Sequence, residues 1–246
     1  MAITVLPPLN HVIDVSSVRK HIQTLDLDNV ISFLNTKGIF VWPITINNRE
    51  LFIAKDFETR HSTFIWASQL GYLDALTLFL NTKYSIKVFN ENDLRNIMFG
   101  LTVHETYQGV LKLIYPDVES EVKIIDRELN LVGVADIVFS NGVAEIKTGR
   151  KSQQHLLQLA AYLRMLRKSK GYIVYEDEVI EVSYSKELEE KLMKAIEDAK
   201  KLKKVVSSHS IDDIISMFRH SYERFIRTFY VDPRDLIKVL RERGFI

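Results

Sequence analysis

Residues 131–147 read LVGVADIVFSNGVAEIK. Two apolar runs are joined by Ser140-Asn141-Gly142, a link that fits a tight turn between neighbouring strands. Strand side chains alternate between the two faces of a sheet. Glu145 and Lys147 therefore share one face with Val143, while Ala144 and Ile146 take the other. In the first run Asp136 stands among apolar neighbours, where an unpaired carboxylate is costly. Because the turn joins the runs directly, Asp136 and Glu145 can lie near one another across the pair.

The flanking sequence extends this hairpin into an α/β core. Residues 90–115 have helical spacing, with Gly100 marking a break or a close packing contact. Residues 120–126 (SEVKIID) predict a strand that turns at 127–130 into the run above. A helix follows over 152–170, ended by Gly171, then a hairpin from 172–177 and 178–184. Helix–strand–strand–strand–helix–strand is the order of an α/β core with a mixed sheet. Before it, residues 14–38 predict a helix capped by Ser16 or Ser17 and stopped by Gly38. Residues 39–55 predict a hairpin turning at Asn47-Asn48, with Pro43 confining its strand to an edge. Residues 61–83 predict a further helix. The last sixty residues are helical, with Leu188, Leu192, Ile196 and Ala199 on one stripe. The final helix has Asp232 as cap and Pro233 at its first position. We read segments 1–92, 93–185 and 186–246 as an N-terminal helical region with a hairpin, the core, and a C-terminal helical extension, together forming one compact unit.

Composition narrows the chemistry. The 246 residues include no cysteine, which excludes disulfides, Cys-held zinc and iron–sulfur clusters. Any metal must be held by His, Asp, Glu or carbonyl oxygen. A net charge of +1 does not announce a nucleic-acid binder, so a basic surface must be local. One asymmetry exists. From Ile146 to Tyr175 there is no acid, but there are Lys147, Arg150, Lys151, Arg164, Arg167, Lys168 and Lys170. Arg150 and Lys151 directly follow the strand and are the better candidates for contact with a phosphate backbone. No run of 18 uncharged apolar residues occurs, and the N-terminus lacks a signal-peptide pattern. The expectation is no membrane span and an intracellular, cytoplasmic location.

Two carboxylates brought together repel unless a cation compensates them. Mg²⁺ suits oxygen ligands, and Mn²⁺ also accepts imidazole such as that of His104 on the preceding helix. Such an ion can polarise a phosphoryl oxygen and activate water. Lys147 adds positive charge where charge develops on a phosphate.

Four stretches in order carry a resemblance: His104 on a helix, Gly133-Val-Ala-Asp136, Glu145-Ile-Lys147-Thr-Gly149, and Gln158-Leu-Ala-Ala-Tyr162. Together they resemble the RecB-like branch of the PD-(D/E)xK nuclease superfamily, including the RecB-type exonucleases associated with CRISPR adaptation. The match spans about residues 98–175. It implies a restriction-endonuclease-like fold: a central mixed sheet flanked by helices, here with helical N- and C-terminal extensions. It implies that His104, Asp136, Glu145 and the Ile146 carbonyl hold Mg²⁺ or Mn²⁺, and that Lys147 orients water and stabilises the phosphate. Gln158 and Tyr162 would brace the site and contact DNA, with Gln154 one turn earlier on the same stripe. Glu121 is a further candidate acid. Its own Glu121-Val-Lys123 follows a literal Pro116-Asp117 after only three residues, too few to set two strand positions around one ion.

The implied activity is DNA cleavage, exonucleolytic on single-stranded or end-bearing DNA. The alternatives are a junction or flap endonuclease, or a non-catalytic DNA-binding subunit that kept the fold. Homo-oligomers and recombination- or CRISPR-type protein partners are compatible with it. Many relatives carry four cysteines around an iron–sulfur cluster. This chain has none, so cleavage polarity does not carry over.

Overall fold

A computed structural model describes residues 6–55, 64–71 and 74–246. The chain divides into two compact units that cut across the three contiguous segments expected above. The first unit comprises 1–24, 63–72 and 99–199, and the second 25–62, 73–98 and 200–246. The reason is pairing: residues near 65 belong to the large sheet, whereas the C-terminal helices share a core with residues 41–55 and 75–86.

In chain order the described elements begin with α1 (Val15–Thr24), α2 (Leu27–Thr36), β1 (Val41–Ile46) and β2 (Arg49–Lys55). Next come β3 (Ile65–Trp66), α3 (Ala75–Tyr84), β4 (Ile86–Phe89) and α4 (Glu91–Ile114). The large hairpins follow as β5 (Glu119–Asp126), β6 (Leu131–Phe139) and β7 (Gly142–Ile146), then α5 (Gln153–Met165), β8 (Lys170–Val174) and β9 (Val179–Ser183). The chain ends with α6 (Lys186–Ser208), α7 (Ile211–Met217), α8 (Arg219–Phe229) and α9 (Pro233–Glu242). This is an α/β protein with a mixed sheet flanked by helices.

The first unit is built on a six-stranded sheet ordered β3-β6-β7-β8-β9, with β5 also on β6. β3 pairs parallel with β6 and β7 parallel with β8; the other pairs are antiparallel. All five residues of β7 are buried, so the strand is covered on both faces. On α5 the buried residues run from Gln158 to Leu163. α6 buries Leu188, Leu192, Ile196 and Ala199, the stripe read from its spacing.

The second unit holds a three-stranded sheet, β1-β2-β4, in which β1 and its Pro43 lie at an edge as expected. Asn47 and Asn48 both take positive φ, 50° and 61°, the turn conformation that Asn tolerates well. The core joins Ile44, Leu51 and Phe79 to Ile214, Phe225 and Leu240.

Several expectations are corrected. Residues 14–38 form two helices, and the first is capped by Asp14, whose Oδ1 accepts from the Ser17 amide at 3.0 Å. Residues 64–83 are not one helix. They hold β3, a 3-10 turn at 67–69, and α3 capped by Asp74; residues 61–63 and 72–73 lie outside the described ones. The helix over 152–170 stops at Met165, because Arg167 takes a left-handed φ of 54° and the Lys168 amide bonds back to Leu163 O. Gly171 lies inside β8, where a Cβ would sit 2.9 Å from Leu159 Cδ1. Within the helical C-terminal stretch, residues 211–229 form two helices that meet at Phe218. Among the described residues, no helix is long and apolar enough to cross a membrane.

Candidate functional site

The site forms where one strand loses its neighbour. β5 pairs with β6 from Leu131 to Val138 along one edge. The opposite edge meets β3 only at Leu131–Val132 and β7 only at Ile137–Phe139. Residues 133–136, Gly-Val-Ala-Asp, therefore have no strand partner on that edge among the described residues. Side chains fill the gap instead. The Tyr162 ring and hydroxyl lie against the backbone at Gly133 and Val134. The Asp136 carboxylate accepts from the Ile146 amide through Oδ2 at 2.7 Å, spanning the point where β7 leaves β6 for β8. Gly133 is required for this arrangement. A Cβ there would lie 2.5 Å from Tyr162 Cε1, closer than carbon atoms approach, and in tight contact with the Ala67 Cβ at 3.1 Å. Gly133 and Tyr162, from two separate motifs, thus meet in one contact.

Two clusters share this ground. In the first, His104 on α4 lies 3.4 Å from Asp136 Oδ1 through its Nδ1. Ligand atoms of His104, Glu121 and Asp136 all fall within 4.8 Å of one another. Asp136 is buried, His104 half-buried and Glu121 exposed. Glu121 stands between the register pairs Ser120–Ile137 and Val122–Ala135, hence opposite Asp136. Its φ of 54° is unusual for a residue with a side chain, and such strain concentrates at functional sites. Gln108, one turn beyond His104, donates from Nε2 to Glu121 Oε1 at 2.6 Å and to the Asp136 carbonyl at 3.1 Å.

The second cluster centres on Glu145, which is 2% exposed. Its Oε1 accepts from Lys147 Nζ at 2.8 Å and from Gln158 Nε2 at 2.6 Å. Gln158 also accepts from Lys147 Nζ at 2.9 Å and donates to the Tyr162 hydroxyl at 2.9 Å. Glu145 Oε2 is buried with no hydrogen-bond partner. An orphaned buried carboxylate oxygen calls for an explanation, and an ion is one.

Electrostatics follow from burial and crowding. Burial first, then the neighbouring Asp136 charge, push the Glu145 carboxyl up to about 8, against the opposing pull of Lys147 and His104. Burial disfavours charge on His104. The Asp136 carboxylate, helped by Glu145, nonetheless holds its pKa above the ordinary value. Two acids and an imidazole this close need a counter-charge. With O and N donors, partial burial and an unpartnered oxygen beside them, these residues fit a metal cation. Glu121 enters that group and Glu145 stands next to it, a different division from the set His104, Asp136, Glu145 and Ile146 implied by the resemblance. The close spacing behind Pro116-Asp117 argued against Glu121. Strand register, which the spacing does not reveal, brings it in.

The remaining candidates divide. Gln154 donates to the Ser68 carbonyl at 2.6 Å and so ties α5 to the 3-10 turn. Lys151 pairs with Glu178 and with Asp177, the latter at 3.5 Å, and lies over the Tyr175 ring. Arg164 pairs with Glu189, and Lys170 with Glu181 at 2.8 Å. The acid-free stretch of sequence is thus not acid-free in space. Arg150 stays exposed and unpaired among the described residues. Two features went unread in the sequence. Gln108 was detectable as the residue four after His104, on the same helix face. His155, whose Nδ1 is 2.8 Å from the Tyr175 hydroxyl, carried no signal; burial first and Lys147 second hold its pKa down at about 4.

No family model matches the chain. Among solved structures, one described as the crystal structure of SSO0001 is similar at 19% sequence identity, covering 61% of this chain and 79% of that one, with a TM-score of 0.39.

Proposed function

We propose that the protein is a metal-dependent deoxyribonuclease that hydrolyses phosphodiester bonds, preferring single-stranded or end-bearing DNA. The observation that carries this reading is the buried Glu145 carboxylate, hydrogen-bonded to Lys147 on one oxygen and unpartnered on the other, with the His104–Glu121–Asp136 group beside it. The order of motifs from His104 to Tyr162 supports it as well.

On this reading Asp136, His104 and Glu121 hold Mg²⁺ or Mn²⁺, and Glu145 and the Ile146 carbonyl complete the set. A divalent cation bound there would polarise a phosphoryl oxygen and lower the pKa of water. Lys147 keeps an ammonium at the edge of the carboxylates, where it meets the phosphate's developing negative charge. Gln158 fixes Lys147 and Glu145 together, so neither side chain must reorganise during the reaction. Tyr162 fixes Gln158 from behind and seals the open edge of β6. Two carboxylates with a lysine suit hydrolysis of a charged ester better than a purely structural role, because burying them uncompensated costs stability.

Digestion of end-labelled single-stranded, double-stranded and covalently closed circular DNA, each with Mg²⁺, Mn²⁺ or EDTA, tests the proposal. The expected result is metal-dependent degradation of linear DNA, no activity in EDTA, and intact closed circles. Cutting of closed circles would shift the reading to a structure-specific endonuclease. Inertness toward every DNA with both metals would overturn it.

A further inference from the structure

A cleft of about 580 Å³ opens beside the second cluster, lined in part by Arg19, Thr148, Gly149, Arg150, Lys151 and Tyr175. Arg19 comes from α1, far away in sequence. Its guanidinium lies 4.0 Å over the Phe99 ring and donates to the Thr148 carbonyl at 3.4 Å, at the residue next to Lys147. It is therefore held in place by stacking and one hydrogen bond, and neither uses up its charge. Among the described residues no carboxylate pairs with Arg19 or with Arg150. Lys151 is occupied by Asp177 and Glu178, and Glu176 adds one further acid to the lining. The lining itself carries three cations, Arg19, Arg150 and Lys151, against two acids, Glu176 and Asp177, and its two guanidiniums are the cations without a carboxylate partner among the described residues.

We infer that Arg19 and Arg150 form a subsite for a phosphodiester of a single DNA strand, next to the phosphate that Lys147 meets. A planar guanidinium binds phosphate through two parallel hydrogen bonds, and one already stacked and oriented loses less freedom on binding. The volume lies within the range of small-ligand sites, enough for a nucleotide-sized segment of one strand. Continuity with the site is direct: Thr148 follows Lys147 in the chain, and the Lys147 amide donates at 2.8 Å to the carbonyl of Val174, the residue before Tyr175. The subsite rests on the nuclease reading and adds to it a grip contributed by the N-terminal helix.

The test measures binding of a 5′-fluorescein-labelled oligothymidylate to the full chain in EDTA, across a range of salt. Arg19→Ala is expected to weaken binding about tenfold and to lower the salt slope by about 0.7, the loss of one strand phosphate. Arg150→Ala, at an exposed position that does not support the fold, should do the same. Arg19→Lys should restore the salt slope without the full affinity. Replacing oligonucleotide phosphates one at a time by neutral methylphosphonates should find one position that costs wild type about tenfold and the Arg19→Ala protein nothing. If wild type binds and cleaves while both alanine variants bind within twofold of it, the subsite is wrong and the nuclease reading stands. If wild type neither binds nor cleaves, both fall.

Discussion

Asp136→Asn is expected to lower metal-dependent DNA cleavage at least ~10³-fold while the protein stays folded. Asparagine keeps a carbonyl oxygen where Oδ2 now accepts from the Ile146 amide, so the bridge between β6 and β7 survives. It removes the carboxylate charge that, on the proposed reading, would help His104 and Glu121 hold a cation. Lys147→Ala should lose activity on a similar scale for a different reason. It takes away the ammonium held 2.8 Å from Glu145 and 2.9 Å from Gln158. Circular dichroism and thermal unfolding report the fold, and a labelled-oligonucleotide assay reports the rate. Cleavage at wild-type rates by either variant would remove the site from the mechanism.

Glu145→Gln should make the metal-free protein more stable at alkaline pH while abolishing its activity. The sign follows from the raised carboxyl. In the folded chain Glu145 titrates at about 8, against an unperturbed value of 4.5. Between these values the folded state binds more protons than the unfolded state, so stability falls as pH rises through the window and levels off above it. The shift on His104 acts in the same direction, since a raised imidazole pKa gives stability that is lost with rising pH. Each pK unit corresponds to roughly 1.4 kcal/mol. Glutamine carries no titrating charge, so its advantage over wild type in EDTA should be absent near pH 4 and greatest above pH 8. Unfolding curves at several pH values measure this. An advantage that does not change with pH would mean that Glu145 is not the strained carboxylate described here. Adding Mg²⁺ or Mn²⁺ should narrow the gap by stabilising only the protein that retains the acid.

The chain gave up its site where the chemistry is local and withheld it where it is not. Asp136, Glu145 and Lys147 were legible because a turn of two residues, Ser140-Asn141, forces β6 and β7 together. The helix of Gln158 and Tyr162 was legible from its periodicity. Glu121 stood only as a further candidate acid, and its place opposite Asp136 was not legible, because it depends on the pairing of β5 with β6 and on a left-handed backbone that no propensity favours for glutamate. β3 and β4 are two and four residues long, too short for a period-two pattern to show, and β3 was absorbed into an expected helix. The basic run misled for a related reason. Charge along a chain says nothing of the acids that folding brings to Lys151, Arg164 and Lys170 from Glu178, Glu189 and Glu181.

The gap in the β6 edge carries a risk of its own. An unpaired strand edge is a template for another chain, and proteins ordinarily cover or charge it. Here four residues of such edge lie inside the molecule, stoppered by one phenol and one carboxylate. Shortening Tyr162 to alanine would unseat Gln158 and also expose a length of strand able to pair with a neighbour. Its first symptom in solution would be self-association on warming, visible by light scattering, and wild type would stay clear under the same conditions. The sheet gives up one stretch of ladder to seat its acids, and colloidal behaviour then depends on the side chains that close the gap.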